Sequence, residues 1–453
     1  MSLRRYGSYR ESGVEWLGKL PDHWKVERLK RLCDVRPSNV DKKSYDGQEQ
    51  VRICNYTDVY YGEQITPALE LMEATATAEQ IERFGLRAGD VIVTKDSETA
   101  DDIAISAHVP ATMPGVVCGY HLALLRPQAR VEGAFIKRFF DSHFAKASVA
   151  VRANGLTRVG LGQYALDNLL VPTPPELEQR AIAVFLDRET AKIDALVEEQ
   201  CRLIELLKEK RQAVISHAIT KGLDPTAPIK DSGVEWLGPV PSHWTMKRLK
   251  HLSPSITVGI VVNPSEYVSD EGLPFLYGAD IKEGQIEWET ARRIAPEVSA
   301  SQGKTALRAG DLVTVRVGAP GVTAVIPPQC EGGNCASVML VRQGPWPSEW
   351  LSYAMNSRVV RFQVEVVQYG AAQEQFNISH ALNFLVPTPP LEEAKQIASV
   401  LRRATEKIDT LLGGAADCVS LLQERRAALI SAAVTGKIDV RESAATPAKL
   451  EPA

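Results

Sequence analysis

The side chains best suited to chemistry gather in a few short loops. Lys95 lies in VTKDSETADD, Arg152, Asn154 and Arg158 in VRANGLTRVG, Arg316 in VRVGAPG, and Gln368, Gln373 and Gln375 in VVQYGAAQEQ. The forked donors and acceptors of such residues match the hydrogen-bonding edges that bases present in a DNA groove, whereas phosphate contacts need only positive charge or amide donors. Gly155, Gly318, Gly321 and Gly370 would let the backbone approach a ligand closely. Any one of these residues is more readily a solvated charge or a turn-stabilising group, so the expectation of base reading rests on the set.

Motifs for covalent chemistry fall short. A site that methylates adenine needs an Asn/Asp-Pro-Pro-aromatic loop to hold the flipped base, and the Pro-Pro pairs here stand in TPP and IPP instead. QGKT at Gln302 to Thr305 has Val298 where a phosphate loop needs its first glycine. Asp96, Glu98, Asp101 and Asp102 are close enough to suggest a cation site, but adjacent acids usually mark a solvated loop. Cys330 and Cys335 are the nearest pair among 7 cysteines, which form no C-x-x-C and read as reduced, structural thiols. The expectation is therefore no catalytic, cofactor-binding or metal-binding residue in this chain.

Bulk properties narrow the classes further. The formal charge of -4 argues against coating DNA by charge alone and leaves room for local basic surfaces. No apolar run approaches the roughly 20 residues of a bilayer span, and MSLRRYGSYRESG lacks the apolar stretch of a secretory leader. A soluble, cytoplasmic protein with no membrane partner is expected.

The elements that would carry those loops are written twice. Ser12 to Lys30 and Ser232 to Lys250 share 13 of 19 residues, including GVEWLG and HW. LRAGD recurs at Leu86 and Leu307, and VPTPP at Val171 and Val386, in the same order. This is an internal duplication of nearly the whole chain, with Cys33 to Phe84 and Ser253 to Ala306 the most divergent stretches. Apolar runs such as VIVT and LVTVRV after Gly-Asp turns read as buried strands, so each copy opens with a mixed α/β domain. Trp16, Trp24, Trp236 and Trp244 read as core or interface anchors.

A long helix closes each copy. Thr173 is expected to cap the first, with Pro174 and Pro175 in its first turn and Glu176 completing a capping box; Leu391 replaces that glutamate in the second. Leu186, Ile193, Leu207 and Val214 repeat every seven residues, interrupted by Gln200, with Leu196 and Leu203 as the companion seam. Leu401, Ile408, Ala415, Leu422 and Leu429 repeat likewise, with Leu411 and Cys418 alongside. The two helices are expected to pair as an antiparallel coiled coil about a pseudo-twofold axis, the first roughly 70 Å long over Pro174 to Thr220, with the α/β domains at its ends. Gly413 and Gly414 should weaken the second helix, and Lys208, Lys210, Arg211, Arg425 and Arg426 read as a solvated flank sooner than as phosphate contacts.

Together these motifs resemble the specificity subunit of Type I restriction-modification systems. The resemblance rests on GVEWLG-x-x-P-x-HW, LRAGD and the VPTPP start of a long helix ending near Lys221-Gly222 and Gly436-Lys437. It implies target recognition domains at 1–170 and 223–385, spacer helices at 171–222 and 386–440, and a disordered tail at 441–453. It further implies double-stranded DNA and two methyltransferase subunits as partners, with restriction subunits reached through them. S-adenosylmethionine, ATP and Mg then belong to those partners, and this chain is non-catalytic. Divergent copies would read unlike half-sites of an asymmetric bipartite target, with the helices as a ruler. The alternatives are a coiled-coil scaffold that dimerises an enzyme and never touches DNA, and a self-sufficient nuclease or methyltransferase with unfamiliar motifs.

Overall fold

The structure is a computed structural model that describes residues 4–368 and 375–444. The chain divides into two compact units, Met1–Gln200 with Asp417–Ala453, and Cys201–Ala416. The division cuts across both long helices, so each unit takes the first half of one and the second half of the other. Strands and helices are mixed throughout.

In the first unit a four-stranded antiparallel sheet runs in the order Cys33–Pro37, Leu122–Pro127, Val91–Thr94, Ser106–His108. Beside it, Glu49–Cys54 pairs with Val116–Cys118 in parallel and with Met72–Ala76 antiparallel. The second unit repeats both orders. Its sheets are Ile256–Val258, Met339–Val341, Leu312–Thr314, Thr323–Val325 and Arg292–Ile294, Leu273–Leu276, Asn334–Cys335.

LRAGD is a structural motif in both copies. Gly89 and Gly310 sit at φ of 89° and 88°, where a side chain would be strained. The following carboxylate turns inward. Asp90 is buried and accepts two hydrogen bonds from Arg126, and buried Asp311 pairs with Arg342 at 2.6 Å. The strand after each motif, Val91–Thr94 or Leu312–Thr314, is buried at every position.

The HW motif closes each core. Trp24 and Trp244 are wholly buried, and each packs on the glycine that ends a long helix, Gly436 and Gly222 respectively. His23 lies 2.8 Å from Glu178 and His243 2.7 Å from Glu393, the third residue of each long helix. Trp16 and Trp236 are exposed instead of core.

The long helices span Glu176–Lys221 and Leu391–Val434, 46 and 44 residues. Their capping differs from expectation. Thr173 ends a strand paired with Lys25–Arg28, and its hydroxyl donates to the carbonyl of Val171. Thr388 does the same against Val386. The strand ladder claims the threonine, so the helix begins only beyond the prolines, and Glu176 is exposed.

The heptad seam is buried at Leu186, Ile193, Leu207, Leu401, Ile408 and Ala415. Its companion is not the expected one: Leu196, Leu203 and Leu411 are 46%, 41% and 57% exposed, and Cys418 is half-buried. The inward companion lies four residues after each heptad position, at Thr190, Val197, Ile204, Arg211 and Ala218, and at Thr405, Leu412, Val419, Arg426 and Ala433. Polar members made that seam hard to see. Thr190 is reconciled to burial by donating to the carbonyl of Leu186 at 2.7 Å.

Within each unit the helix segments run antiparallel. In the first, Ile182, Phe185 and Leu186 share a core with Ile430, Ala433 and Val434, while Asp194 meets Arg426. In the second, Ile215, Ala218 and Ile219 share one with Ala394, Ile397 and Leu401, while Arg211 meets Asp409. Gly413 and Gly414 do not break the helix. Residues Arg441–Ala444, placed in the tail, form a short helix.

Candidate nucleic-acid interface

The strand that follows LRAGD delivers a cation to the same place in each unit. Lys95 comes directly after Val91–Thr94, and Arg316 two residues after Leu312–Thr314. Lys95 Nζ donates to the carbonyl of Ser38 at 3.1 Å and lies 4.7 Å from the centre of the Tyr120 ring. Burial lowers its pKa, and Asp96 opposes that shift.

Each cation-bearing strand end is then gripped by a loop from late in its domain. Asp96–Ser97 pairs with Val159–Gly160, and the Leu161 amide donates to the carbonyl of Lys95. This closes a tight loop over Asn154 to Gly160, with Gly155 at φ 151° and the place of a Cβ there blocked by the Arg158 carbonyl. Arg158 reaches back toward Asp96 at 3.9 Å. Asn154 donates to the carbonyl of Arg152, whose guanidinium donates to that of Ser148.

In the second unit Val317 bridges to Gln375, and Arg316 Nε donates to the carbonyl of Phe376 at 3.2 Å. Gln368 ends the helix Arg358–Val367 and lines a cavity of about 520 Å³ with Gln212, Pro320, Arg358 and Arg361. Gln373 lies outside the described residues.

Lys95, Asn154 and Arg158 thus come together in one unit, and Arg316 with Gln375 in the other. Arg152 and Gln368 lie just past the ends of the helices that lead into those loops, a step away.

Sequence reasoning missed the aromatic residues beside these cations. Tyr56 and Tyr60 stack at 5.5 Å, Tyr61 packs edge-on to Tyr60, and the Tyr60 hydroxyl donates to Asp102 at 2.7 Å. Tyr61 is 83% exposed. Tyr120 packs on His121, whose Nδ1 lies 2.7 Å from Asp96. Of the four acids weighed as a cation site, Asp96 and Asp102 are therefore occupied by side chains of the protein.

In the second unit Arg292 lies over the Tyr277 ring at 4.3 Å. The Tyr277 hydroxyl is buried with no hydrogen-bond partner among the described residues. Both aromatic groups follow the same strand and turn, in which an amide donates to an aspartate three residues on: Asn55 to Asp58 and Tyr277 to Asp280, each at 2.7 Å. The spacing of NYTDVYY, with tyrosines four apart on a helix, was the available signal.

Cations within reach of exposed aromatic faces form a surface suited to polyanions that carry flat rings. Among the described residues no group of histidine, cysteine and carboxylate side chains is arranged to hold a metal ion, and no helix is long and apolar enough to cross a membrane.

Two mixed α/β units of one strand order, each with a basic and aromatic edge and each sharing in both long helices, define the architectural class. Over nearly its whole length the chain is similar to specificity subunits of Type I restriction enzymes. The EcoBI specificity subunit of Escherichia coli is 24% identical, covering 96% of this chain and 91% of that protein. The StySPI specificity subunit of Salmonella potsdam is 22% identical, covering 95% and 92%. A chain solved in a study of complex assembly and conformational transition of the type I R-M system superposes with a TM-score of 0.65 at 21% identity, covering 92% of this chain and 98% of that one. The HsdS subunit from Thermoanaerobacter tengcongensis gives 0.52 at 19%, with the same coverage. No protein-family model matches the chain.

Proposed function

We propose that this chain is the sequence-reading, non-catalytic subunit of a Type I restriction-modification complex. Each unit carries one target recognition domain for half of an asymmetric, bipartite double-stranded DNA target. The long helices pair as an antiparallel coiled coil about a pseudo-twofold axis and act as the ruler between half-sites. The subunit docks two methyltransferase subunits and, through them, restriction subunits. Those partners hold S-adenosylmethionine, ATP and Mg, and the complex works in the cytoplasm.

The observation that carries this reading is the recurrence of a strand-end cation, Lys95 and Arg316, on one framework with different neighbours. The shared framework fixes where each unit meets DNA. The neighbours, Tyr56, Tyr60, His121 and Arg158 in one unit and Tyr277, Arg292 and Gln375 in the other, would present different hydrogen-bonding patterns and so select different bases.

The test is to express the chain with its neighbouring methyltransferase and map methylated positions across a genome. A split motif with unlike halves is expected. Exchanging one recognition domain should change one half and leave the other, and lengthening the helices by whole turns should widen the gap. A continuous or palindromic motif overturns the reading. Absence of sequence-selective DNA binding would favour the scaffold alternative.

A further inference from the structure

One three-charge cluster occurs twice, once in each unit, and nothing in the base-reading surface accounts for it. In the first unit Arg426 donates from Nη2 to Glu63 at 2.6 Å and from Nε to Asp194 at 2.8 Å. In the second, Arg211 donates from Nη1 to Glu283 and from Nε to Asp409 at 2.9 Å. The members correspond one to one. The arginine comes from the last third of one long helix, the aspartate from the first half of the other, and the glutamate from a loop of the α/β domain.

Three features set the cluster apart from incidental surface pairing. Both arginines occupy the inward companion seam, where their side chains are only 16% and 24% exposed. An apolar residue would fill that place without desolvating a guanidinium, whereas the partner carboxylates keep between 27% and 50% of their surface in solvent. Both glutamates fall inside the stretches where the two copies diverge most, yet an acid recurs at the same place. A guanidinium also binds two carboxylates in a fixed planar geometry, so it fixes orientation as well as contact.

The loop held by each arginine is tied to the reading strand. Glu63 and Ile65 hydrogen-bond through their backbones to His108, in the strand Ser106–His108, which pairs with Val91–Thr94 and so with the strand that ends at Lys95. Beside Glu283, the Gly284 amide donates to Thr323, in the strand Thr323–Val325, which pairs with Leu312–Thr314 and leads to Arg316. In both units the sequence of contacts is the same: helix arginine, loop glutamate, edge strand, reading strand, cation.

We propose that Arg426 and Arg211 are positioning residues, each locking its recognition domain against the helix pair so that the strand-end cation meets DNA in one orientation. This rests on the reading of the two units as half-site readers. Glu63 is further braced by Lys137 at 2.7 Å and Arg138 at 2.9 Å, and Arg138 also reaches Asp187 of the long helix at 2.8 Å, so the loop keeps its shape when Arg426 is removed while its anchorage to the helix pair is weakened.

The experiment compares wild type, Arg426→Met, Arg426→Lys and Arg211→Met, each assembled with the methyltransferase, by the extent of methylation at targets altered in one half-site or the other. Arg426→Met should lower discrimination about tenfold at the half-site read by the first unit and leave the second intact, and Arg211→Met the reverse. Arg426→Lys keeps the charge without the fork and should show a smaller loss confined to the same half. Combining Arg426→Met with Lys95→Met should cost less than the two separate losses together, because both act on one orientation. Equal losses at both halves, unchanged discrimination, or strict additivity with Lys95→Met overturns the proposal. If Arg426→Met does not assemble, Arg426→Lys decides by the same half-site criterion. A wild-type complex without a split target instead overturns the underlying reading, a result distinct from a split target that these variants leave untouched.

Discussion

At the scale of single residues, the best-placed contacts are those the backbone delivers to equivalent positions. Lys95 and Arg316 are the two, and under the proposed function their loss should be felt on different halves of the target. Lys95→Met should cost about 1–3 kcal/mol of discrimination at one half-site, the usual worth of a good base contact, and Arg316→Met a similar amount at the other. Methylation of single-base variants of the target measures both; a uniform loss across all sequences would reassign either residue to a phosphate. Glu63 carries a prediction about acid. Burial pushes its carboxyl up, but Lys137, Arg138 and Arg426 more than reverse this and hold it at about 2. A folded-state value below the roughly 4.3 of an unfolded glutamate stabilises the fold above about pH 4.5, and that contribution fades as pH falls toward 2. The stability difference between wild type and Glu63→Gln in urea titrations should therefore shrink across that window. A constant difference would show that Glu63 is not ion-paired in solution. Because its side chain is about half exposed, solvent screening keeps the gain modest.

Elements were legible in the sequence wherever their cause is local. The strands after LRAGD follow from unbroken apolar runs behind a glycine turn, and the long helices from a seven-residue repeat without proline. The helix starts were misread because the decision between Thr173 as cap and Thr173 as strand end depends on Lys25–Arg28, nearly 150 residues away. The companion seam was misread for a related reason. Leu196 and Leu203 look like core by type, whereas the inward positions hold Thr190, which turns back to the Leu186 carbonyl of its own helix, and Arg211, whose carboxylate partners lie elsewhere in the fold. The site was legible as cations in glycine-bearing loops, and illegible in its tyrosines, which only the fold brings beside them. One element-level expectation remains to be measured. Gly413 and Gly414 are exposed inside an unbroken helix, and a Cβ at either would meet nothing within 4 Å. Gly413→Ala and Gly414→Ala should each add about 1 kcal/mol by helix propensity and reduced unfolded-chain entropy, read as a higher denaturant midpoint at unchanged slope. A fall in stability at either position would mean that the glycine serves a local bend.

For the whole molecule, the consequence of the duplication is that the first unit is built from both ends of the chain. Ile430, Ala433, Val434 and Val440 are buried in one core with Trp24, Leu29 and Leu186, and Gly436 lies against Pro21 and the Trp24 ring. Asp439 bridges to Arg4 through the backbone, and Glu442 pairs with the Arg4 guanidinium at 2.7 Å. The second unit needs nothing beyond Ala416 for its core, since its helix contribution ends with Ala394, Ile397, Ala398 and Leu401. Removing residues from 417 onward should therefore be selective. The apolar burial lost at Ile430, Val434 and Val440, roughly 1.5–3 kcal/mol each, rivals the 5–15 kcal/mol that separates folded from unfolded domains. Trp24 would also lose the helix end that covers it. Hydrogen exchange on the truncated chain should show the strands at Val91–Thr94 and Leu122–Pro127 losing protection while those at Leu312–Thr314 and Met339–Val341 keep it. Equal loss in both units would mean that they fold as one cooperative body, and full retention in both would mean that the carboxyl-terminal helix segment is dispensable to the core it enters. The selective outcome would fit a protein whose two units are stabilised separately, so that one can diverge in sequence while the other keeps its fold.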